Sequence, residues 1–220
     1  MAVHKIFPTN IVINDVDLTD EQKADLSVAV ESIFINEYSM SREHARNEPS
    51  KYGNHADSFG VFTEENMEVF PVLKDLRNIF VDGFFELAQS HDNSNMSRES
   101  ISRMFKGNFS ALPIIRKGFG MDVHCHPGCI ASAVFYLTDV DNEKDGGQLV
   151  LRDPSWHTVP GFRNEMEYEI STRAGRLVVF PVHTWHEVKT YIGDQDRITV
   201  VGNLSYITDE DINDFKWKVY

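Results

Sequence analysis

The chain has 220 residues, of which 41% are hydrophobic and 25% are charged, so it can bury a full core without disulfides or a structural metal. Its net charge of −13 argues against a nucleic-acid partner and against an acidic membrane surface. With 13 glycines and 8 prolines, the composition also excludes a collagen-like or low-complexity chain.

No apolar run has the length of a signal peptide or a membrane span, which predicts a cytoplasmic protein without a membrane partner. The two cysteines are too few for a disulfide framework and fit a reducing compartment. We expect one domain over residues 1–220, with a helical part at 1–105, a strand-rich core at 106–206 and a tail at 207–220. A homodimer is compatible with these features.

The N-terminal part is expected to be mainly helical after a short strand at 11–13. Thr19 and Gln22 form a capping-box pattern, which predicts the start of a first helix. A second helix is expected at 67–90, where apolar residues recur at helical spacing, and a short third one at 97–106.

Between the first two helices, residues 38–60 are polar and include Asn47, Pro49 and Gly53. This composition predicts a loop. A loop of this length is either a lid or binding segment or an ordinary surface loop, and the sequence leaves both interpretations open.

From Phe109 onward, short apolar runs alternate with turn residues such as Gly146 and Gly147. The predicted strands are 133–137, 149–151, 177–180, 188–192 and 198–206. Five or more short strands of this kind are typical of an antiparallel sandwich or jelly roll, so the fold class is mainly β with N-terminal α-helices.

His124-Cys125-His126 is the first candidate metal-binding motif. On an extended strand, His124 and His126 point to one face together with Asp122, while Cys125 points to the other. Two converging imidazoles suit Fe(II), zinc or manganese. The alternative is a pair of partly exposed histidines with ordinary hydrogen bonds.

A third histidine, His186, lies at the start of the strand that follows the apolar run at 177–182. In a jelly roll, this strand can face the HxH motif across the sheet. His183 is a weaker candidate ligand because it lies in the expected turn.

The last strand carries Arg197, Thr199 and Asn203 on one face. A buried arginine is costly unless an anion meets it, and a guanidinium suits a carboxylate. The alternative is an internal salt bridge with Asp194 or Asp196.

Together these motifs resemble the 2-oxoglutarate/Fe(II)-dependent oxygenases, and most closely the bacterial and phage-type oxygenases with an HxH motif that are related to prolyl hydroxylases. The resemblance covers about residues 106–206. It rests on the order and spacing of His124-x-His126, Ser132 to Leu137, Gly146 to Pro154, Gly175 to Val188, and Arg197-x-Thr199.

The resemblance implies a double-stranded β-helix with a metal at one open end. It implies that His124 and His186 bind Fe(II), and that Arg197 binds the distal carboxylate of 2-oxoglutarate with Thr199 and Tyr136 as supports. With O₂, such an enzyme would form succinate and CO₂ and hydroxylate a C–H bond of a peptidyl residue or a small metabolite.

The wider superfamily has a carboxylate at the place of His126. We expect His126 to be the third metal ligand here, because it shares the strand face of His124 and Pro127 favours extended backbone at His126. Asp153 is the alternative third ligand, because Fe(II) sites of this class favour one anionic oxygen.

Two other functions compete with the oxygenase interpretation. A cupin-like metalloenzyme that does not use 2-oxoglutarate fits the glycine at Gly118, but the glutamate expected at 129–131 is absent and Arg197 has no role. A non-catalytic jelly-roll binding module would make the histidines structural.

Overall fold

The computed structural model describes residues 9–38, 41–43, 54–55, 60–91, 95–106, 110–153 and 167–205. The expected tail at 207–220 and most of the expected loop at 38–60 lie outside these ranges. Among the described residues, no helix combines the length and the apolar character that crossing a bilayer requires.

Five helices are described, and most of them precede the strand-rich part. They are α1 (Asp20–Tyr38), α2 (Glu64–Val69), α3 (Val72–Gln89), α4 (Arg98–Lys106) and α5 (Asn142–Asp145). The predicted capping box is confirmed: the Gln22 amide donates to Thr19 Oγ1 at 3.1 Å, and the Thr19 amide donates to Gln22 Oε1 at 3.0 Å.

The prediction of one helix over 67–90 is wrong, because two helices meet there at Phe70 and Pro71. Proline has no amide hydrogen, and its ring clashes with the preceding helical turn. It is accepted at the start of a helix, and Pro71 caps α3 with a φ of −55°.

Eleven strands are described: β1 (Val12–Asp15), β2 (Asn54–His55), β3 (Ser110–Ala111), β4 (Ile114–Ile115), β5 (Phe119–His124), β6 (Ala131–Tyr136), β7 (Leu149–Arg152), β8 (Glu167–Ile170), β9 (Arg176–Pro181), β10 (Trp185–Tyr191) and β11 (Arg197–Leu204). They form two antiparallel sheets. The major sheet has the order β1-β9-β6-β11-β4-β2, with β3 also paired to β11, and the minor sheet has the order β5-β10-β7-β8.

The major sheet packs on both faces, as strand alternation requires. One face of β6, β9 and β11 meets the helices: Phe135, Leu177 and Val200 share a core with the helical side chains of Phe80 and Phe84. The opposite face meets the minor sheet and forms a second apolar core. That core includes Val134, Tyr136, Val178, Phe180, Leu149, Leu151 and Val188. The space between the sheets is therefore lined by alternate residues of both.

Helix α3 approaches β9 closely at Gly83, where a Cβ atom would overlap Leu177 and lie 2.9 Å from Val179 Cγ2. We expect Gly83→Ala to lower the free energy of unfolding by about 1 kcal/mol, because overpacking costs about 1–3 kcal/mol and the better helix propensity of alanine returns about 1 kcal/mol. Chemical denaturation measures this change. The exposed Asn78→Ala in the same helix is the control, and a stabilised Gly83→Ala variant would contradict the close approach.

Candidate metal centre

Three histidines converge at one end of the space between the sheets. His124 ends β5 and is paired in register with His186 on β10, and His126 follows two residues after β5. One nitrogen from each ring lies within 4.8 Å of the others, a spacing that can hold one metal ion. His126 belongs to this group although it lies beyond the end of β5, whereas the sequence analysis placed it on the same strand as His124.

Backbone carbonyls orient two of these rings. His124 Nδ1 lies 2.7 Å from the carbonyl oxygen of Asp122, and His186 Nδ1 lies 2.9 Å from that of Thr184. Since a carbonyl only accepts, both Nδ1 atoms carry the proton and both Nε2 atoms keep a lone pair. This is the arrangement in which a neutral imidazole binds a metal through Nε2.

The distance between His126 Nε2 and His186 Nε2 is 3.2 Å. Two nitrogens bound at right angles to one ion, with bonds of about 2.1 Å, would lie about 3 Å apart. The donor set therefore fits a transition-metal ion with two adjacent imidazole ligands.

Burial keeps these rings in the form that binds metals. The pKa of His186 is lowered to about 4, mainly because the ring is desolvated and also because His124 and His126 lie nearby. The pKa of His126 is lowered for the same two reasons, burial first and the proximity of His124 second. Both imidazoles are therefore neutral at pH 7, and protons compete little with a metal.

The other candidate ligands lie outside the three-histidine group. Asp153 is exposed just after β7, and Asp122 is exposed and contacts the site through its backbone carbonyl. His183 is exposed in the turn between β9 and β10. Among the described residues, only the three histidines make up a group of this kind.

Arg197 is 1% exposed and lies on the inner face of β11. Its Nε donates to the carbonyl oxygen of Gly147 at 2.8 Å, and its guanidinium lies 5.3 Å from the centre of the Tyr136 ring. No carboxylate of the described ranges forms an ion pair with it. A buried cation of this kind is costly, which points to an anionic ligand.

The alternative salt bridges of Arg197 are not formed. Asp194 pairs with Lys117 at 2.8 Å, and Asp196 lies 3.5 Å from Arg116 Nε. Asp196 precedes β11 and also lies 3.9 Å from Arg42 Nη1, so its ion pairs within the described ranges are with arginines other than Arg197.

Tyr136 and Thr199 lie opposite each other on β6 and β11, and both are buried. The side chain of Tyr136 is fully buried, and its hydroxyl makes no hydrogen bond of ordinary geometry with the described residues, although the Arg197 guanidinium interacts with it. Burial raises the pKa of Tyr136, so the hydroxyl stays protonated and can donate. The structure thus brings all three candidate 2-oxoglutarate residues to one part of the inner face.

Two further features of the inner face had no assigned role in the sequence analysis. Gly147 has a φ of 76°, and a Cβ atom there would lie 3.2 Å from Arg197 Cδ, so glycine permits the hydrogen bond that holds the arginine. The Ser132 hydroxyl donates to Asn203 Oδ1 at 2.7 Å on the same inner face. The glycine pair at 146–147 signalled a turn, but no motif signalled the serine–asparagine pair.

Comparison with known proteins gives a family match over the part of the chain that holds this site. Residues 112–203 match the family model described as "Putative 2OG-Fe(II) oxygenase". No curated protein sequence matches the chain.

Solved structures of the same fold cover most of the chain. The prolyl-4-hydroxylase of Pseudomonas putida matches with a TM-score of 0.52 and 15% identity, over 91% of this chain and 94% of that one. A Trichoplax adhaerens prolyl hydroxylase in complex with a hypoxia-inducible-factor peptide has a TM-score of 0.53 and 14% identity, over 89% and 83%. HygX from Streptomyces hygroscopicus, with nickel and 2-oxoglutarate bound, has a TM-score of 0.55 and 11% identity, over 90% and 84%.

These likenesses confirm the predicted jelly-roll fold, here with two facing sheets rather than a closed barrel. The family match extends from the strand before the histidine motif to the strand that carries Arg197. Residues 112–203, which contain the three histidines and Arg197, are thus similar to the 2OG-Fe(II) oxygenases whose family model they match.

Proposed function

We propose that this protein is a 2-oxoglutarate- and Fe(II)-dependent oxygenase that hydroxylates a C–H bond of a peptidyl residue or a small metabolite, with release of succinate and CO₂. The observation that carries the proposal is a combination of groups between the two sheets. A three-histidine group lies at one end, and a buried arginine without a carboxylate partner in the described ranges lies deeper on the inner face.

In this proposal His124, His126 and His186 hold Fe(II). The support is the convergence of their nitrogens, the Nδ1 hydrogen bonds of His124 and His186, and the lowered pKa values of His126 and His186. The three histidines would supply three neutral nitrogen ligands and would leave room on the ion for the 2-oxo acid and O₂.

Arg197 binds the distal carboxylate of 2-oxoglutarate, and the Tyr136 hydroxyl and Thr199 contribute hydrogen bonds to it. The guanidinium offers a rigid pair of donors, and the Tyr136 hydroxyl beside it, which has no hydrogen bond of ordinary geometry to the described residues, offers one more. The carboxylate would neutralise a cation that is otherwise buried among apolar side chains.

When bound, Fe(II) with 2-oxoglutarate and O₂ supplies the oxidising chemistry. The chain contributes binding, orientation and exclusion of water. The second apolar core, which includes Leu151, Val178, Phe180 and Val188, lies between the two sheets that carry the histidines and Arg197. Apolar surroundings of this kind would help to exclude water from the metal site.

The third ligand is open to a direct test. If His126 binds the metal, His126→Asp should keep iron and part of the activity. The substitution places at this position the carboxylate ligand that the wider superfamily has there. Asp153→Asn should then leave the metal bound. Metal content after anaerobic reconstitution measures both effects. Loss of most of the metal in Asp153→Asn, together with full retention in His126→Ala, would assign the role to Asp153 instead.

We also propose that the substrate partner is a peptide or a small molecule, that nucleic acid is not a partner, and that the location is cytoplasmic. The net charge of −13 supports the exclusion of nucleic acid, and two free cysteines fit a reducing compartment. One protein of similar fold was solved with a peptide fragment, which is the reason to test peptides first.

The experiment for the function is succinate formation from 2-oxoglutarate by the Fe(II)-loaded protein, with a panel of peptides and free amino acids. We expect slow formation of succinate without a second substrate and faster formation with one class of substrate. The mass of that substrate should increase by one oxygen atom. The His186→Ala protein is the inactive control. Metal binding without any binding or turnover of 2-oxoglutarate would reject the proposal and favour a cupin-like site.

A further inference from the structure

Two apolar side chains are largely exposed although they lie on the inner faces of the sheets. Tyr168 on β8 is 55% exposed and Ile13 on β1 is 40% exposed, and the half-buried Ile11 lies two residues before Ile13. β8 ends the minor sheet and β1 ends the major sheet, and each pairs on one side only among the described strands. We call these three side chains the edge cleft. The proposed metal and carboxylate sites do not use them.

Tyr168 continues the row of the three-histidine group on the minor sheet. Across four strands, the register pairs His124 with His186, His186 with Leu151, and Leu151 with Tyr168. Residues that are directly opposite in an antiparallel pair point to the same face. Neighbouring strands lie about 4.8 Å apart, so the backbone of Tyr168 is about 10 Å from that of His186. The row therefore leads from the histidines to the free edge of the sheet.

Ile13 and Ile11 belong to the inner face of the major sheet. Ile13 is paired with Val178, a member of the second apolar core, and Ile11 packs against the same core. Val12 between them is buried in the core on the helical side, as strand alternation requires. Both isoleucines therefore point into the space between the sheets.

Arg176 joins these two sheet edges at the end away from the histidines. Its guanidinium pairs with Asp15 at the end of β1, and its Nη1 donates to the carbonyl and the hydroxyl of Ser171, just after β8, at 3.0 and 2.7 Å. Tyr168 lies three residues before Ser171 and Ile13 two residues before Asp15, so both lie on the histidine side of this link. The pKa of Arg176 is raised mainly by its hydrogen bond to Asp15, and Tyr168 contributes to the rise, as expected of a phenol near the major sheet.

Single exposed apolar side chains are common on protein surfaces. The edge cleft differs because its members face one another between the sheets and continue the inner face that carries the histidines. Its surface consists of two aliphatic side chains and a phenol ring, and the guanidinium at its closed end is already paired with Asp15. This chemistry suits an uncharged apolar group rather than a charged one.

The distance from the histidines favours an extended peptide as the molecule that brings this group. A free amino acid held at the metal is too short to reach a side chain about 10 Å away, whereas an extended chain covers that distance with about three residues at about 3.3 Å each. The free edges of β1 and β8 also offer backbone hydrogen-bonding groups of the kind that extended peptides use.

We propose that the edge cleft binds an aliphatic or aromatic side chain of a peptide substrate, about three residues from the residue whose C–H bond is held at the metal. The inference rests on the proposed function, since it needs a metal between the histidines. Tyr168 and Ile13 would then decide which peptides are accepted, through contact with a residue that is not itself oxidised.

The test measures the NMR relaxation of peptide protons by the Mn(II)-saturated protein with 2-oxoglutarate and without oxygen. The probes are blocked alanine tetrapeptides that carry one phenylalanine or one leucine, and the comparison peptides carry lysine or glutamate at the same place. The Zn(II)-saturated protein corrects for relaxation that the unpaired electrons of Mn(II) do not cause. We expect the apolar peptides to bind more tightly, with alanine protons relaxed more strongly by Mn(II) than those of the apolar side chain, because the cleft lies farther from the metal.

Tyr168→Ser and Ile13→Ser should each weaken binding of the apolar peptides by about tenfold or more, because each removes apolar contact area. Both variants should keep the affinities for Mn(II) and for 2-oxoglutarate. Ile35→Ser is the matched control, since Ile35 is similarly exposed, at 42%, but lies on α1. It should bind the peptides as the unaltered protein does.

Equal binding of the apolar peptides by the unaltered protein and by both cleft variants would overturn the inference. Equal binding of apolar and charged peptides would also overturn it, as would a blocked single phenylalanine that binds as tightly as the tetrapeptide. If another part of the chain or a second copy covers the cleft, the unaltered protein will bind no apolar peptide, and the inference fails. Failure of the proposed function looks different, since the unaltered protein would then bind neither Mn(II) nor 2-oxoglutarate.

Discussion

His186→Ala is expected to abolish tight metal binding while the fold is kept. His186 is the most buried of the three histidines, its Nδ1 is held by the Thr184 carbonyl at 2.9 Å, and its low pKa keeps the ring neutral. Loss of a residue that only supports a ligand costs about 10–100-fold in affinity, so loss of a ligand should cost at least about a hundredfold. Anaerobic titration with Fe(II) or Mn(II) and metal analysis measure the effect.

His183→Ala is the matched control for this experiment. His183 lies three residues earlier, is exposed in the turn, and is absent from the three-histidine group. It should bind metal as the unaltered protein does, and circular dichroism should show the same strand content for both variants. Full metal occupancy in a folded His186→Ala protein would exclude His186 as a ligand.

The inner face of β11 was predictable because strand alternation is a local property. Arg197 and Thr199 are two residues apart, so any extended backbone points them to one side. The capping box at Thr19 was predictable for the same reason, since its two hydrogen bonds join residues three apart. Features that depend only on neighbours in sequence can therefore be predicted without the fold.

The break at Pro71 also had a local signal, but the apolar periodicity of 67–90 outweighed it. Strand β8 had a weak signal, because Glu167, Tyr168 and Glu169 are exposed and lack the apolar run that marks the buried strands. Its pairing with β7 decides its conformation instead. Here contacts distant in sequence override the local pattern.

The Ser132–Asn203 pair shows what sequence alone cannot supply. The two residues are 71 positions apart, and only the register between β6 and β11 makes them neighbours. A shift of one residue in that register would move one of them to the helical side of the sheet. The same holds for the Gly147 carbonyl that orients Arg197 from 50 positions away.

Replacement of Arg197 is expected to weaken 2-oxoglutarate binding far more than metal binding. A charge-assisted, two-pronged contact to a carboxylate is worth about 1.5–3 kcal/mol. At about 1.4 kcal/mol per factor of ten, Arg197→Ala should lower the affinity by about tenfold to a few hundredfold. Calorimetry with the Mn(II)-loaded protein measures the loss of affinity. Arg197→Lys keeps the charge but loses the planar pair of donors, so its affinity for 2-oxoglutarate should lie between those of the unaltered protein and of Arg197→Ala.

The stability of the protein without ligand gives an independent check on the same residue. A buried guanidinium without an anion is a cost to the fold, and apolar replacement of buried charges is often neutral or stabilising. Arg197→Met, which keeps much of the side-chain volume, should therefore unfold at a similar or higher temperature than the unaltered protein when 2-oxoglutarate is absent.

Saturating 2-oxoglutarate should raise the unfolding temperature of the unaltered protein, because a ligand that binds only the native state stabilises it. That rise should largely disappear in Arg197→Met, whereas the rise caused by Mn(II) should persist. Equal responses of both proteins to 2-oxoglutarate would show that the arginine serves the fold rather than the ligand.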